Sequence, residues 1–187
     1  MIDVCGNYIK SLMNDIYYSE IGNINKASKL IKQTIAKQGN IYFFGQGHSV
    51  WVGRDVLDSY HLPIKVIEEK ELGAGELLDI NNVNDKDVIV ITSNSGINSC
   101  IVDLAIEVRK RGIAMIAINS YQHTLKVESR HPSKTKLYQY ADVIIDNCCV
   151  YGDAAIKDDE NYIGSFSSIA NNVIVHTILN KVSKESR

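Results

Sequence analysis

Proline is scarce in this sequence, with only Pro63 and Pro132 among 187 residues. That leaves no room for a Pro-rich linker and points to a chain dense in secondary structure. Cysteine is limited to Cys5, Cys100, Cys148 and Cys149, with no C-x-x-C pair and no metal-ligand spacing. A disulfide scaffold is excluded, and the thiols read as buried or half-buried side chains in a reducing environment. Neither charge is in surplus: 20 basic and 22 acidic residues leave a net charge of -2. The basic excess that accompanies nucleic-acid binding is missing, so no nucleic-acid partner is expected. Long hydrophobic runs are missing too, and the stretch 88–91 falls far short of the ~20 residues of a membrane helix. The start, Met1-Ile2-Asp3-Val4, lacks the basic and apolar regions of a signal peptide. The expectation is a cytoplasmic chain with no membrane partner.

What is present suits a globular core. Hydrophobic residues make up 45% of the chain, and a chain of this size buries ~70% of its unfolded surface. The length fits one domain over 1–187, with leading helices over 1–38 and an α/β core over 40–182. Val4, Tyr8, Ile9, Leu12, Met13 and Ile16 recur at helical spacing, as do Ile24, Ala27, Leu30, Ile31 and Ile35. Gly22-Asn23 lies between these segments, so two leading helices are predicted, the second stopped at Gly39-Asn40.

The pattern then changes to short apolar runs separated by helical ones. Residues 41–44 read as a strand covered on both faces, and 63–67, 87–92, 113–118 and 141–146 read as further strands. After 87–92, Ile97, Ile101, Leu104, Ala105 and Val108 carry one helical stripe, closed by Arg109, Lys110, Arg111 and Gly112. A last helix is predicted over 167–182. Alternating strands and helices predict a three-layer α/β/α sandwich on a roughly five-stranded parallel sheet. The connection over 121–136, with Ser129-Arg130-His131-Pro132-Ser133, is long enough to suggest a functional role.

In such a sheet, ligands bind beyond the carboxyl ends of the strands. Three of those ends carry small polar residues: Gly45-Gln46-Gly47-His48-Ser49, Ser93-Asn94-Ser95-Gly96, and Asn119-Ser120. Glycines admit a close backbone approach, helix starts offer free N–H groups, and hydroxyls donate to phosphate oxygens. With no Lys in these loops, the pattern suits a phosphate monoester on a small ligand. A P-loop is excluded because no G-K-[ST] follows any of them. The dinucleotide fingerprint is incomplete, because Val50 stands where its third glycine belongs. No cofactor and no metal are expected. Turn and N-cap roles account for any one of these loops taken alone.

Gly45-x-Gly47-x-Ser49, Ser93-x-Ser95-Gly96 and Ala141-Asp142 together resemble the SIS (sugar isomerase) domain. The 129–133 segment and Tyr151-Gly152-Asp153-Ala154 are similar to a branch of that family described as phosphoheptose-isomerase-like. The resemblance covers residues 1–182 and implies an SIS-type fold, phosphosugar binding, and a homodimer or homotetramer with active sites near subunit interfaces. It implies a phosphate site made by Gly47, Ser49, Ser93, Asn94, Ser95, Gly96 and Asn98, with Ser120 lining the third loop. Members that isomerise phosphosugars carry a catalytic Glu on the helix after the first loop, where this chain has Asp55-Val56-Leu57-Asp58-Ser59.

General acid–base work favours groups that titrate near neutrality, which singles out histidines and displaced carboxylates. The candidates are His48 in the first loop, His131 between Arg130 and Pro132, and Asp55 and Asp58, which share a helix face. Glu76 and Asp153 are minor candidates, and Arg54 is a candidate supplement to the phosphate site. His61 reads as a helix-end residue and His176 as core or interface. The functional expectation is a sugar-phosphate isomerase-like enzyme of carbohydrate-derivative metabolism; the alternative is a non-catalytic module that senses a sugar phosphate.

Overall fold

Strand residues with apolar side chains at successive positions need cover on both faces, and the fold supplies it. In the computed structural model, which describes residues 2–158 and 160–184, five parallel strands form one sheet. They are β1 (Ile41–Gly45), β2 (Ile64–Val66), β3 (Val88–Thr92), β4 (Ala114–Asn119) and β5 (Val143–Asp146). Their order is β2-β1-β3-β4-β5, and every pair is parallel. Successive side chains alternate between two cores. Phe43, Val90, Ile118 and Ile145 face one, beneath α1 (Ile2–Ala36), α2 (Trp51–Val56) and α6 (Ser167–Lys184). Phe44, Ile91, Met115 and Ala117 face the other, beneath α3 (Ala74–Ile80) and α4 (Ser99–Lys110). A single turn of helix, α5 (Tyr121–Thr124), follows β4, and a hairpin of β6 (Ile156–Asp158) and β7 (Asn161–Ile163) precedes α6. Among the described residues, no helix is long and apolar enough to cross a membrane.

The leading segment departs from the sequence expectation. Instead of two helices, α1 runs unbroken through Gly22-Asn23 for 35 residues. The stripe that decides this is Leu12, Ile16, Glu20, Ile24, Ala27 and Ile31, all buried at i+3 or i+4 spacing. Gly22 sits exposed on the opposite face. A mid-helix Gly costs only about 1 kcal/mol, whereas each large apolar side chain buried is worth about 1.5–3 kcal/mol. Packing therefore overrides the local break signal, and α1 lies against β5 and α6.

The strand order fixes where a ligand fits. From β1 the chain crosses one way to β2, then returns to place β3 on the other flank of β1. Connections leaving β1 and β3 diverge, which opens a crevice at their carboxyl ends. The helix after β1 packs close, since a Cβ at Gly53 would lie 2.5 Å from the Phe43 Cβ.

Candidate functional site

Two turns meet in that crevice, and each is held by short contacts. At the end of β1, a Cβ on Gly45 would lie 2.7 Å from the Ser49 carbonyl carbon and 2.8 Å from Thr92 Oγ1. Only glycine permits the chain to fold back so tightly. Thr92 Oγ1 then donates to the Ser49 carbonyl at 2.8 Å, tying the first turn to β3. At the end of β3, the Gly96 N–H donates to Ser93 Oγ at 3.2 Å, with Gly96 in the left-handed region at φ 64. Asn98 occupies the N-cap position of α4 without capping it by its side chain. Its amide bridges the loops instead: Nδ2 donates to Gln46 Oε1 at 3.1 Å and Oδ1 accepts from Arg130 at 3.2 Å.

These turns border a cavity of about 540 Å³. His48, Ser49, Ser93, Asn94, Ser95 and Asn98 line it, with Gln46, His123 and parts of segments 152–154 and 162–165. The Ser49 and Ser95 hydroxyls have no hydrogen-bond partner among the described residues. Ser93 Oγ accepts from Gly96 and keeps its own proton for a ligand. No Lys or Arg is among the described lining residues, and the one carboxylate there, Asp153, already accepts from two backbone amides and two serine hydroxyls of segment 165–167. The cavity offers hydroxyl and amide donors, with no free carboxylate to repel an anion.

The remaining candidates lie elsewhere. Gly47 and Gly96 belong to the two turns without lining the cavity. Ser120 is fully buried, and its hydroxyl donates to the Cys149 carbonyl at 2.6 Å while accepting the His123 N–H at 3.0 Å. It shapes the third loop rather than facing the cavity. Asp55 pairs with His176 Nε2 at 3.0 Å, whose Nδ1 meets the Tyr60 hydroxyl at 2.8 Å. Asp58 is exposed outside the cavity lining. His131 lies between Asp103, 2.9 Å from Nε2, and Ser133 Oγ, 2.6 Å from Nδ1, and so fastens the 129–136 loop to α4. Arg54 stacks on Trp51 and pairs with Glu68 at 2.5 Å, and Glu76 sits in the first turn of α3.

His123 and the 162–165 segment line the cavity without having been read from the sequence. His123 follows the third polar strand end, and the Ser120 N-cap sets it in place. The signal was available, since a capping Ser after a strand puts its third follower at the same sheet edge. Burial pushes the His123 pKa below its ordinary value, with the Asp153 charge opposing. Burial also pushes the Cys100 and Cys148 thiols up to about 11, and Cys149 further still, so all three stay protonated at neutral pH. Among the described residues no His/Cys/Asp/Glu cluster suits a metal ion.

Comparison with known proteins assigns the family. The SIS domain model matches residues 6–61 and 56–120, more than half of the chain. The chain belongs to the SIS domain family. A UPF0309 protein of Halalkalibacterium halodurans is 33% identical to this SIS domain chain, over 94% of the chain and 83% of that protein. A UPF0309 protein of Thermoanaerobacter pseudethanolicus is 29% identical, over 89% and 76%. Among solved structures, phosphoheptose isomerase from Neisseria gonorrhoeae superposes with a TM-score of 0.68 at 12% identity, covering 97% of each chain. An Escherichia coli CFT073 protein, solved with a bound ligand, gives 0.68 at 18% identity, covering 99% and 90%. The sugar isomerase domain of an RpiR transcription factor from Sphaerobacter thermophilus gives 0.67 at 16% identity, covering 98% and 89%. At these identities the likeness is one of fold, and it extends over nearly the whole SIS domain chain.

Proposed function

We propose that this SIS domain chain binds a sugar phosphate in the cavity beyond β1 and β3 and interconverts its aldose and ketose forms. The observation that supports this is the convergence of the Ser49, Ser93 and Ser95 side chains on one crevice at the strand-order reversal. The three hydroxyls suit the phosphate oxygens, and the start of α4 adds its partial positive charge. Asn94 and Asn98, whose amides each make one internal bond through Nδ2, keep a second Nδ2 proton for the sugar. Asp55, Asp58 and His131 lie outside the lining, so in this reading proton transfer falls to the cavity histidines, His48 foremost, as an exposed imidazole on the first turn.

Isomerisation through an enediol exchanges a carbon-bound hydrogen with solvent. Incubating the chain with sugar phosphates in D2O should place deuterium on C2 of the aldose or C1 of the ketose, alongside product. A second reading, a sensing module without turnover, is favoured by the saturated carboxylate of Asp153. Saturable binding with neither exchange nor product would select it. Absence of binding would refute both. The proposal includes self-association: Tyr17, Tyr18 and Trp51 are all more than half exposed. Light scattering should give a dimer or tetramer, and a lone 20.9 kDa species would contradict this.

A further inference from the structure

The polar interior behind the cavity has a fixed direction. The Cys149 backbone N–H, which can only donate, lies 3.0 Å from Asn147 Oδ1. That identifies the oxygen of this fully buried amide, and its Nδ2 must donate on the other side. Nδ2 does so twice, to Asn171 Oδ1 and to Asn94 Oδ1, each at 3.0 Å. With its oxygen taken, Asn94 turns its own Nδ2 toward His123 Nδ1, 3.4 Å away. An N–H aimed at a ring nitrogen needs a lone pair there, so the neutral His123 ring carries its proton on Nε2. The backbone holds both partners, since Ser120 N–H donates to the Asn94 carbonyl at 2.9 Å and His123 N–H donates to Ser120 Oγ at 3.0 Å.

We infer that His123 is a catalytic residue of this cavity, its Nε2–H fixed as a hydrogen-bond donor by the Asn147–Asn94 amide relay and presented to the carbonyl oxygen of the bound sugar. The inference rests on the sugar-phosphate reading above. Asn94 and Asn147 are positioning residues, acting through the imidazole. The charge that acts on the ring is that of Asp153, occupied by segment 165–167, while Lys126 sits beyond Tyr151, its ammonium 5.5 Å from the centre of the ring that meets His123 at 5.1 Å. Burial keeps the ring neutral at neutral pH. A neutral imidazole donates to a developing oxyanion without first losing a proton to solvent. In the step, a base takes the C2 hydrogen as a proton and that bond's electron pair forms the C1–C2 double bond. Negative charge gathers on O1, where Nε2–H stabilises it. The protonated base, after exchanging with solvent, delivers a proton to C1 and the O2 hydroxyl proton moves to O1, so no oxidant or reductant is needed.

Nitrogen-15 NMR of the full chain labelled at histidine reads the tautomer directly, with His123→Gln assigning the signal. The expected spectrum has unprotonated Nδ1, protonated Nε2, and a titration midpoint below the ordinary ~6.5. Asn94→Asp puts a carboxylate beside Nδ1, and should move the proton to Nδ1 and the midpoint upward. An Nδ1–H tautomer in the unsubstituted chain, or no response to Asn94→Asp, overturns the relay. In turnover, His123→Ala should lower kcat about 10²- to 10³-fold, the loss typical of one oxyanion donor, with KM little changed. His123→Gln, which keeps an N–H donor, should recover part of that loss. Full turnover in His123→Ala overturns the catalytic role alone, whereas no turnover by the unsubstituted chain overturns it together with the function reading.

Discussion

Asp153 anchors the start of α6. Its carboxylate accepts the Phe166 N–H at 3.1 Å, the Ser167 N–H at 2.9 Å, Ser167 Oγ at 2.5 Å and the Ser165 hydroxyl. It thereby satisfies donors that an uncapped helix leaves open and sets a negative charge on the positive end of the helix dipole. Asp153→Ala would strand these buried donors and should destabilise the fold by about 3 kcal/mol. A urea unfolding midpoint shifted by less than the equivalent of about 0.5 kcal/mol would contradict that role. The sequence marks Asp153 as a group at a sheet edge, which it is. Its partners lie twelve to fourteen residues on, and no local pattern reads such a cap. Ser49, Ser93 and Ser95 were legible because strand, turn and helix follow one another directly there. His123 went unread because its place depends on α5, a single turn of helix too short to leave a periodic signal.

α1 shows how an element's packing outweighs its local signals. If the helix is continuous, Gly22→Ala adds helix propensity at an exposed position where a Cβ meets nothing within 4 Å. It should raise stability by about 0.5–1 kcal/mol; two helices with Gly22 in the turn would give a loss instead. Glu20 sits in the buried stripe of the same helix, where burial pushes its pKa above the ordinary carboxylate value, with an Asn23 hydrogen bond opposing. The folded state therefore holds this proton more tightly than the unfolded chain. Stability falls as pH rises from the ordinary ~4.3 through the raised folded value. Glu20→Gln should stabilise at pH 7 and lose that advantage in acid below both values. An advantage unchanged between pH 7 and acid would contradict the assignment. β1, β3, β4 and α4 were readable from their apolar periodicity. The hairpin of β6 and β7 was not, since Asn161–Ile163 is exposed throughout and buries no face to impose a pattern.

At the scale of the molecule, the SIS-type order β2-β1-β3-β4-β5 puts the reversal of strand order under the polar turns. Parallel strands and short crossovers follow from apolar runs alternating with helical stripes, so this much was legible from the sequence. The histidine facing the cavity and the amide chain behind it depend on contacts between distant segments, such as Asn147 with Asn94. The account's central claim is that a sugar phosphate binds in this cavity through the serine turns. The most direct measurement is a thermal-shift screen of pentose, hexose, heptose and amino-sugar phosphates on the native chain beside Ser95→Ala. A ligand at ~100 times its Kd adds about 2.7 kcal/mol, which at roughly 2–4 °C per kcal/mol raises Tm by about 5–11 °C. The account predicts such a shift for at least one class of sugar phosphate, largely lost in Ser95→Ala. No shift with any of them, or one of equal size in Ser95→Ala, would contradict it.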